Sequence, residues 1–297
     1  MIVTGANANF FELAEELILS IEACWPSPVP VGFVDLGLLP EQKEWLVGRG
    51  VIVRPPWTGF NLERMTDQLP SMIGYLARPF LNVIFPEHPI HIWLDADVWL
   101  QDWDGVRQLW SGAMAKGAAM VSENETAYRF WLWLYCWQLK HYVLGCGVLP
   151  GVSMWPRPHV NAGIFAIRAD APHWSSWRKY YQTALDRTGH VTPYDQFALN
   201  AAAYWDRLPT EFLPATCNWI VNLGRPMWNS RMGKLCVPYP PFTTISHVHL
   251  AGPIKNSIIE IKATDGSRRF VRLRFARPVA SDAEWLNLKA DPSRADR

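Results

Sequence analysis

Residues 1–53 read MIVTGANANFFELAEELILSIEACWPSPVPVGFVDLGLLPEQKEWLVGRGVIV. Three apolar runs stand out: Ile2–Thr4, Val31–Leu36 and Val51–Val53. Two stretches of helical character separate them. In the first, Asn9 followed by Glu12 resembles a capping box. Phe10, Leu13, Leu17 and Ile21 then recur at helical spacing, with Glu12, Glu15, Glu16 and Glu22 mainly on other faces. Pro26, Pro28 and Pro30 end that helix. The second, PEQKEWLVGRG, predicts a short helix closed by glycine. Strand, helix, strand, helix, strand is the pattern of a parallel sheet covered by helices.

Further along, Leu62–Phe85 is helical in composition with a break near Pro79. Ile90–Leu94 (IHIWL) is a buried-strand run that leads straight into Asp95-Ala96-Asp97. Val160–Ile167 (VNAGIFAI) predicts another strand. Thr192 and Pro193 read as the cap and first residue of a helix through Tyr204. After Leu208 the chain is irregular and rich in Pro, Asn and Trp, with a strand or loop at Thr244–Leu250. Ile258–Lys262 and Phe270–Arg274 flank Asp265-Gly266, a hairpin signal. The tail Ala290–Arg297 is polar and is expected to fray.

Composition excludes several classes. Of 297 residues, 49% are apolar and 19% charged, which is ample for a core and rules out a disordered chain. Lys plus Arg number 28 against 27 Asp plus Glu, so net charge draws neither nucleic acid nor an anionic membrane. Five cysteines without CxxC spacing indicate no zinc site or disulfide framework and fit a reducing compartment. MIVTGANANF lacks the features of a signal peptide. Cytoplasmic localisation is expected. The 17 tryptophans suit carbohydrate faces, interfaces or membrane boundaries as well as a core.

Asp95 and Asp97 follow an apolar strand, and ligands in open α/β sheets bind outside the carboxyl ends of strands. Two carboxylates so close repel unless a cation joins them. Their hard oxygens suit Mg²⁺ or Mn²⁺, which commonly bridges to a diphosphate. A solvated loop with two unrelated acids is the plain alternative. His249-Leu250-Ala251-Gly252-Pro253-Ile254-Lys255 supplies complementary chemistry. An imidazole can complete a metal's coordination, Gly252 allows close backbone approach, and Lys255 offers a point charge to phosphate. The plain alternative there is a buried histidine, a turn and a surface lysine.

Five segments together resemble glycosyltransferase family 8, a retaining group of GT-A fold, over roughly Ile2–Lys255. They are TGANANFFELAEELILSI, IWLDADVWLQDW, VNAGIFAIR, PYDQFALN and HLAGPIK. The resemblance implies a Rossmann-like mixed sheet with helices on both faces. It implies a catalytic domain over residues 1–255, an aromatic-rich insertion over 124–158, and a C-terminal extension over 256–297 bearing the hairpin. It implies that Asp95, Asp97 and His249 hold Mn²⁺ (or Mg²⁺) on the diphosphate of a nucleotide sugar, a UDP-sugar. Gly252 and Lys255 would contact that diphosphate. Ala6, Asn7 and Asn9 would line the nucleoside pocket, with Asn7 where relatives often carry an acid. Arg78 would contact the donor. Asn161, Asp195 and Gln196 would surround the transferred sugar. The acceptor is then a carbohydrate or other hydroxyl compound.

Two rivals keep a similar sheet. A sugar-phosphate nucleotidyltransferase would want a Gly-rich basic loop after the first strand, and TGANANFF has no basic residue. A non-catalytic binding module would be expected to lose metal ligands, yet all three candidates are present. The segment Tyr128–Trp155 carries Trp133 and Trp137 on one helical face. A helix apolar all round is normally buried, so core packing is expected of it. Its alternative is a wall for an acceptor sugar or a peripheral membrane contact.

Overall fold

A computed structural model of the chain describes residues 1–65, 69–129 and 132–275. The polar tail expected at Ala290–Arg297 lies outside the described residues. Strand β1 (Ile2–Ala6) pairs in parallel with β2 (Val31–Asp35), and β2 with β3 (Ile52–Arg54). Helices α1 (Phe11–Cys24) and α2 (Pro40–Gly48) make the crossovers. After α3 (Leu69–Ala77), a 3-10 turn at Arg78–Phe80 and α4 (Leu81–Ile84), β4 (Ile90–Leu94) returns in parallel beside β1. Pro79 marks the expected break.

Then come β5 (Val98–Leu100), α5 (Asp104–Lys116), β6 (Ala118–Ser122), α6 (Leu132–Cys146) and α7 (Val148–Met154). Strand β7 (Val160–Arg168) runs antiparallel between β4 and β6. Helices α8 (His173–Thr188) and α9 (Tyr194–Tyr204) precede β8 (Thr210–Leu213), which runs parallel to β6. The seven-stranded order is β3-β2-β1-β4-β7-β6-β8. It is a mixed sheet, made so by the single reversed strand β7.

Both faces of the sheet are covered. Val3, Trp93, Met120 and Phe165 point to one side, against Leu76, Leu81, Trp174, Trp177 and Tyr181. Ile2, Phe33, Ile92 and Ile164 point to the other, against Leu17, Ile18, Ile21 and Leu109. Strands buried on both faces need no polar alternation, which is why IHIWL and VNAGIFAI are continuous apolar runs.

Beyond β8 the chain forms β9 (Trp219–Ile220), β10 (Met227–Asn229), β11 (Lys234–Cys236) and β12 (His247–His249). A second, three-stranded sheet has the order β5-β12-β9. In it β12 is antiparallel to β5, with His249 opposite Val98. The hairpin β13 (Ile258–Lys262) and β14 (Arg268–Arg272) starts its second strand two residues before the expected Phe270. Ile259, Ile261 and Val271 pack with Trp219, Val248 and Leu250. Beyond it, buried Arg274 donates from Nε to buried Glu16 Oε2 at 2.7 Å, tying this end to α1.

Three local expectations are corrected. Asn7, not Asn9, is the cap: its Oδ1 accepts from the backbone N–H of Asn9 and Phe10, opening a 3-10 turn that precedes α1. Thr192-Pro193 is a cis peptide, and α9 starts at Tyr194 with no side-chain cap bond. Helix α6 is not a core helix, because Gln138, Tyr142 and Gly145 form its buried face while Leu132 and Trp133 are 64% and 60% exposed. Its inner face is chosen by polar contact and close approach. The Tyr142 hydroxyl meets His159 Nδ1 at 2.7 Å, and a Cβ on Gly145 would lie 2.9 Å from the Tyr194 ring. Among the described residues, no helix is long and apolar enough to cross a membrane.

Candidate active site

The end of β4 delivers Asp95 and Asp97 into a turn pinned from two sides. The Asp95 N–H donates to the Gly163 carbonyl of β7 at 2.8 Å, and the Leu250 N–H donates to the Asp97 carbonyl at 2.9 Å. The antiparallel register of β12 with β5 brings His249 alongside, its Nε2 3.3 Å from Asp97 Oδ1. Lys255 Nζ lies 2.5 Å from Asp97 Oδ2. One ligand atom each from Asp95, Asp97 and His249 can be chosen so that all lie within 4.8 Å of one another.

The histidine is oriented from behind. Its Nδ1 is 2.8 Å from Asn218 Oδ1, and Asn218 Nδ2 donates to Asn161 Oδ1 at 3.1 Å. The second bond fixes which end of the Asn218 amide faces the imidazole, so Nε2 is the atom left toward Asp97. Burial opposes the charged form of His249, but the adjacent Asp97 outweighs it and raises the imidazole's pKa. Burial likewise opposes the Asp97 carboxylate, yet His249 and Lys255 hold it well below the usual carboxylate range.

Two carboxylates and an imidazole are a donor set that fits a divalent cation. Gly163 keeps the space between them. A Cβ there would lie 2.6 Å from His249 Cε1, 2.8 Å from Asn161 Oδ1 and 2.8 Å from Asp95 Oδ2.

Arg78 ties this cluster to α9. Its Nη2 donates to Asp95 Oδ1 at 2.5 Å and its Nη1 to Asp195 Oδ2 at 3.0 Å, with Tyr75 and Trp93 rings beside the guanidinium. The Trp93 indole N–H also donates to Asp95 Oδ1, at 2.7 Å. Asp195 is 3% exposed. Burial pushes its pKa up to about 6, with Arg78 opposing and Asp95 adding to the rise.

A cavity of about 250 Å³ opens at the carboxyl ends of β1 and β4. Ala6, Asn7, Arg78, Asp95, Asp97 and Lys255 line it, with Phe10, Tyr75 and Trp93 among the aromatic walls. Asn9 is exposed and outside the lining, and so is Gly252. Gly252 has φ +80°, and its carbonyl accepts from Lys255 Nζ at 3.3 Å.

Asn161 and Gln196 belong to a neighbouring network. Gln196 Oε1 accepts from the Ala162 N–H at 2.9 Å, and its Nε2 is 2.7 Å from His159 Nε2. Asn161 Nδ2 donates to Glu123 Oε1 at 2.8 Å. Burial lowers the His159 pKa, with Glu123 opposing. Glu123 and His159 also line a second cavity, of about 380 Å³, walled by Tyr128, Tyr135, Gln138 and Trp155. Sequence reasoning missed Glu123, His159 and Asn218. Glu123 had a signal, since it follows the apolar strand β6 as Asp95 follows β4; the other two are joined to the site only by tertiary contacts.

No protein-family model and no curated protein sequence matches the chain. Solved structures do. The galactosyltransferase LgtC, in complex with donor and acceptor sugar analogues, aligns with a TM-score of 0.52 at 16% identity, over 85% of this chain and 87% of its own. The fold is a GT-A-type glycosyltransferase fold. Mouse xyloside xylosyltransferase 1 shares this GT-A arrangement at TM-score 0.50 and 14% identity, over 84% of this chain and 97% of its own. The bifunctional glycosyltransferase WbbM aligns at TM-score 0.51 and 14% identity over 86% of this chain, which spans 46% of that longer one.

Proposed function

We propose that this chain is a metal-dependent glycosyltransferase of the family 8 type. It moves a sugar from a nucleoside diphosphate donor, a UDP-sugar, to a hydroxyl acceptor with retention of configuration. One observation carries the reading: Asp95, Asp97 and His249 converge beside Lys255 at the edge of a cavity at the strands' carboxyl ends.

Asp95, Asp97 and His249 would hold Mn²⁺ or Mg²⁺, which when bound neutralises charge on a departing diphosphate. Lys255 offers that diphosphate a point charge, and the bare backbone at Gly252 lets it approach. Ala6 and Asn7 border the nucleoside side of the cavity. Asn9, outside the lining, acts there only through the turn that Asn7 caps. Arg78 holds Asp95 and Asp195 in place, and Asn161, Asp195 and Gln196 stand on the sugar side. Residues 1–255 form the catalytic unit, 124–158 its insertion and 256–297 its extension.

Neither residue of the Asp195-Gln196 pair is a free nucleophile. Asp195 is buried against Arg78, and the Gln196 amide is uncharged and bonded at both ends. That supports same-face attack. The bond from anomeric carbon to phosphate oxygen breaks, the acceptor oxygen bonds to that carbon from the same face, and the hydroxyl proton passes to the departing phosphate.

A thermal-shift panel of nucleoside mono-, di- and triphosphates, with and without Mn²⁺, tests this reading. A ligand at 100 times its dissociation constant stabilises by about 2.7 kcal/mol. Stabilisation by a nucleoside diphosphate that needs Mn²⁺ is expected. Stabilisation confined to triphosphates would point to nucleotidyl transfer, and none by any nucleotide would overturn the proposal.

A further inference from the structure

We propose that the α6–α7 hairpin docks this protein on the surface of an anionic lipid bilayer. The inference stands apart from sugar transfer and needs no donor or metal.

The apolar side chains of the hairpin face outward. Leu132, Trp133, Val148, Leu149, Val152 and Trp155 are all exposed, Leu149 by 83%. On α7 the order is simple. Val148, Val152 and Trp155 lie at i, i+4 and i+7, one stripe of a helix, while Gly151 and Met154 form the buried face. Gly151 sets the hairpin's closeness, because a Cβ there would lie 2.6 Å from the backbone of Val143 on α6. On α6 the buried face is Gln138, Tyr142 and Gly145, so Trp133, Lys140 and Leu144 run along the opposite side, while the Trp137 ring leans toward buried Phe197. Exposed apolar side chains gathered on one helical hairpin mark an interaction site.

Charge identifies the partner. The chain as a whole is balanced, with 28 basic and 27 acidic residues. Between Glu125 and Asp170 there is no acid at all, yet Arg129, Lys140 and Arg157 are all present and exposed. Of the acids that flank this stretch, Glu123 accepts from Asn161, Glu125 from Tyr239 and Thr126, Asp186 of α8 from Gln182, and Asp206 from Ser176 and Tyr180. An aromatic and aliphatic ridge whose own segment carries basic residues and no acid has the composition of a helix lying in the interface of an anionic leaflet. A second copy fits less well. A two-fold contact sets a patch against itself and would bring these cations face to face. Helix α6 has 15 residues, short of the roughly 20 needed to span, so the contact is superficial.

The same hairpin supplies Leu134, Tyr135 and Trp155 to the 380 Å³ cavity beside Gln196. Docking therefore brings that cavity to the lipid surface. If the transferase reading holds, the hydroxyl acceptor is one carried at that surface.

The test is flotation of the full chain with vesicles of phosphatidylcholine alone or enriched in phosphatidylglycerol. The chain should float with the anionic vesicles and be released by salt. Val148→Ser with Leu149→Ser should weaken the partition about tenfold or more while leaving the melting temperature unchanged, since both residues are exposed. Lys140→Glu should weaken it several-fold on anionic vesicles only. Absence of flotation, or equal flotation by the double variant, would overturn the proposal. So would a dimer by light scattering that the same double variant abolishes, since a second copy would then own the face. None of these readouts depends on nucleotide, so docking and sugar transfer fail independently.

Discussion

Arg78→Met removes a cation shared by Asp95 and Asp195. The guanidinium is buried, 2.5 Å from one carboxylate and 3.0 Å from the other. Methionine fills much of the volume, so the loss is electrostatic. Removing one partner of a buried ion pair costs about 3–5 kcal/mol. The pH dependence follows from Asp195. Its folded pKa, about 6, lies above the ordinary 3.8, so between those values the native state keeps a proton that the unfolded chain has released. Stability therefore falls as pH rises through that interval, by about 3 kcal/mol at about 1.36 kcal/mol per pH unit. Without Arg78 the carboxyl is pushed higher still, and the decline continues toward neutral pH. Urea unfolding at neutral pH and near pH ~4, where the Asp195 carboxyl is protonated, reads both effects. The expected penalty is 3–5 kcal/mol at neutral pH (roughly, by the same buried-pair rule) and smaller in acid. Adding Asp195→Asn should restore part of it. A neutral-pH penalty below about 1 kcal/mol, or one that grows on acidification, would refute the reasoning.

Three further outcomes follow from the site and the core. Asp97→Asn should keep the fold and abolish Mn²⁺-dependent nucleotide binding by calorimetry; unchanged affinity in Mn²⁺ would count decisively against its role as a ligand. Lys255→Ala should weaken a nucleoside diphosphate far more than the nucleoside, and equal losses would make Lys255 a structural residue. Trp177→Ala should cost about 3–5 kcal/mol because its ring is fully buried, whereas Trp133→Ala at an exposed position should shift stability by only about 0.5 kcal/mol. Similar melting losses for the two tryptophans would contradict the placement of α6.

The strands that the sequence announces are those whose residues are apolar on both faces, such as Ile90–Leu94 and Val160–Arg168. Strand β6, AAMVS, stays hidden because alanine carries little strand preference, and Thr244–Leu250 reads only as strand or loop because the three residues of β12, two of them histidines, form no pattern. Asn7 and Asn9 are equivalent as caps until the 3-10 turn is seen. The exposed tryptophans of α6 break the rule that an apolar helix is buried, since composition says nothing of which side meets the protein. At the site, the closeness of Asp95 and Asp97 follows from spacing alone. That His249 joins them is legible only through the likeness of HLAGPIK to a known family. The bonds from Asn218 and His159 are purely tertiary, and no local signal marks either residue.

His249 reaches Asp97 through the pairing of β12 with β5, strands separated by some 150 residues of chain. Contacts of such long sequence separation carry a large loop-closure cost and tend to form late in folding. Strand β5 is anchored in the core of the larger sheet through Val98 and Leu100, whereas β12 and β9 pack with the hairpin in a separate core. Local opening of β12 would dissolve the triad while the seven-stranded sheet stays intact. Amide exchange in β12 should then be faster than in β4, and on gentle heating ligand binding should vanish before the circular dichroism changes.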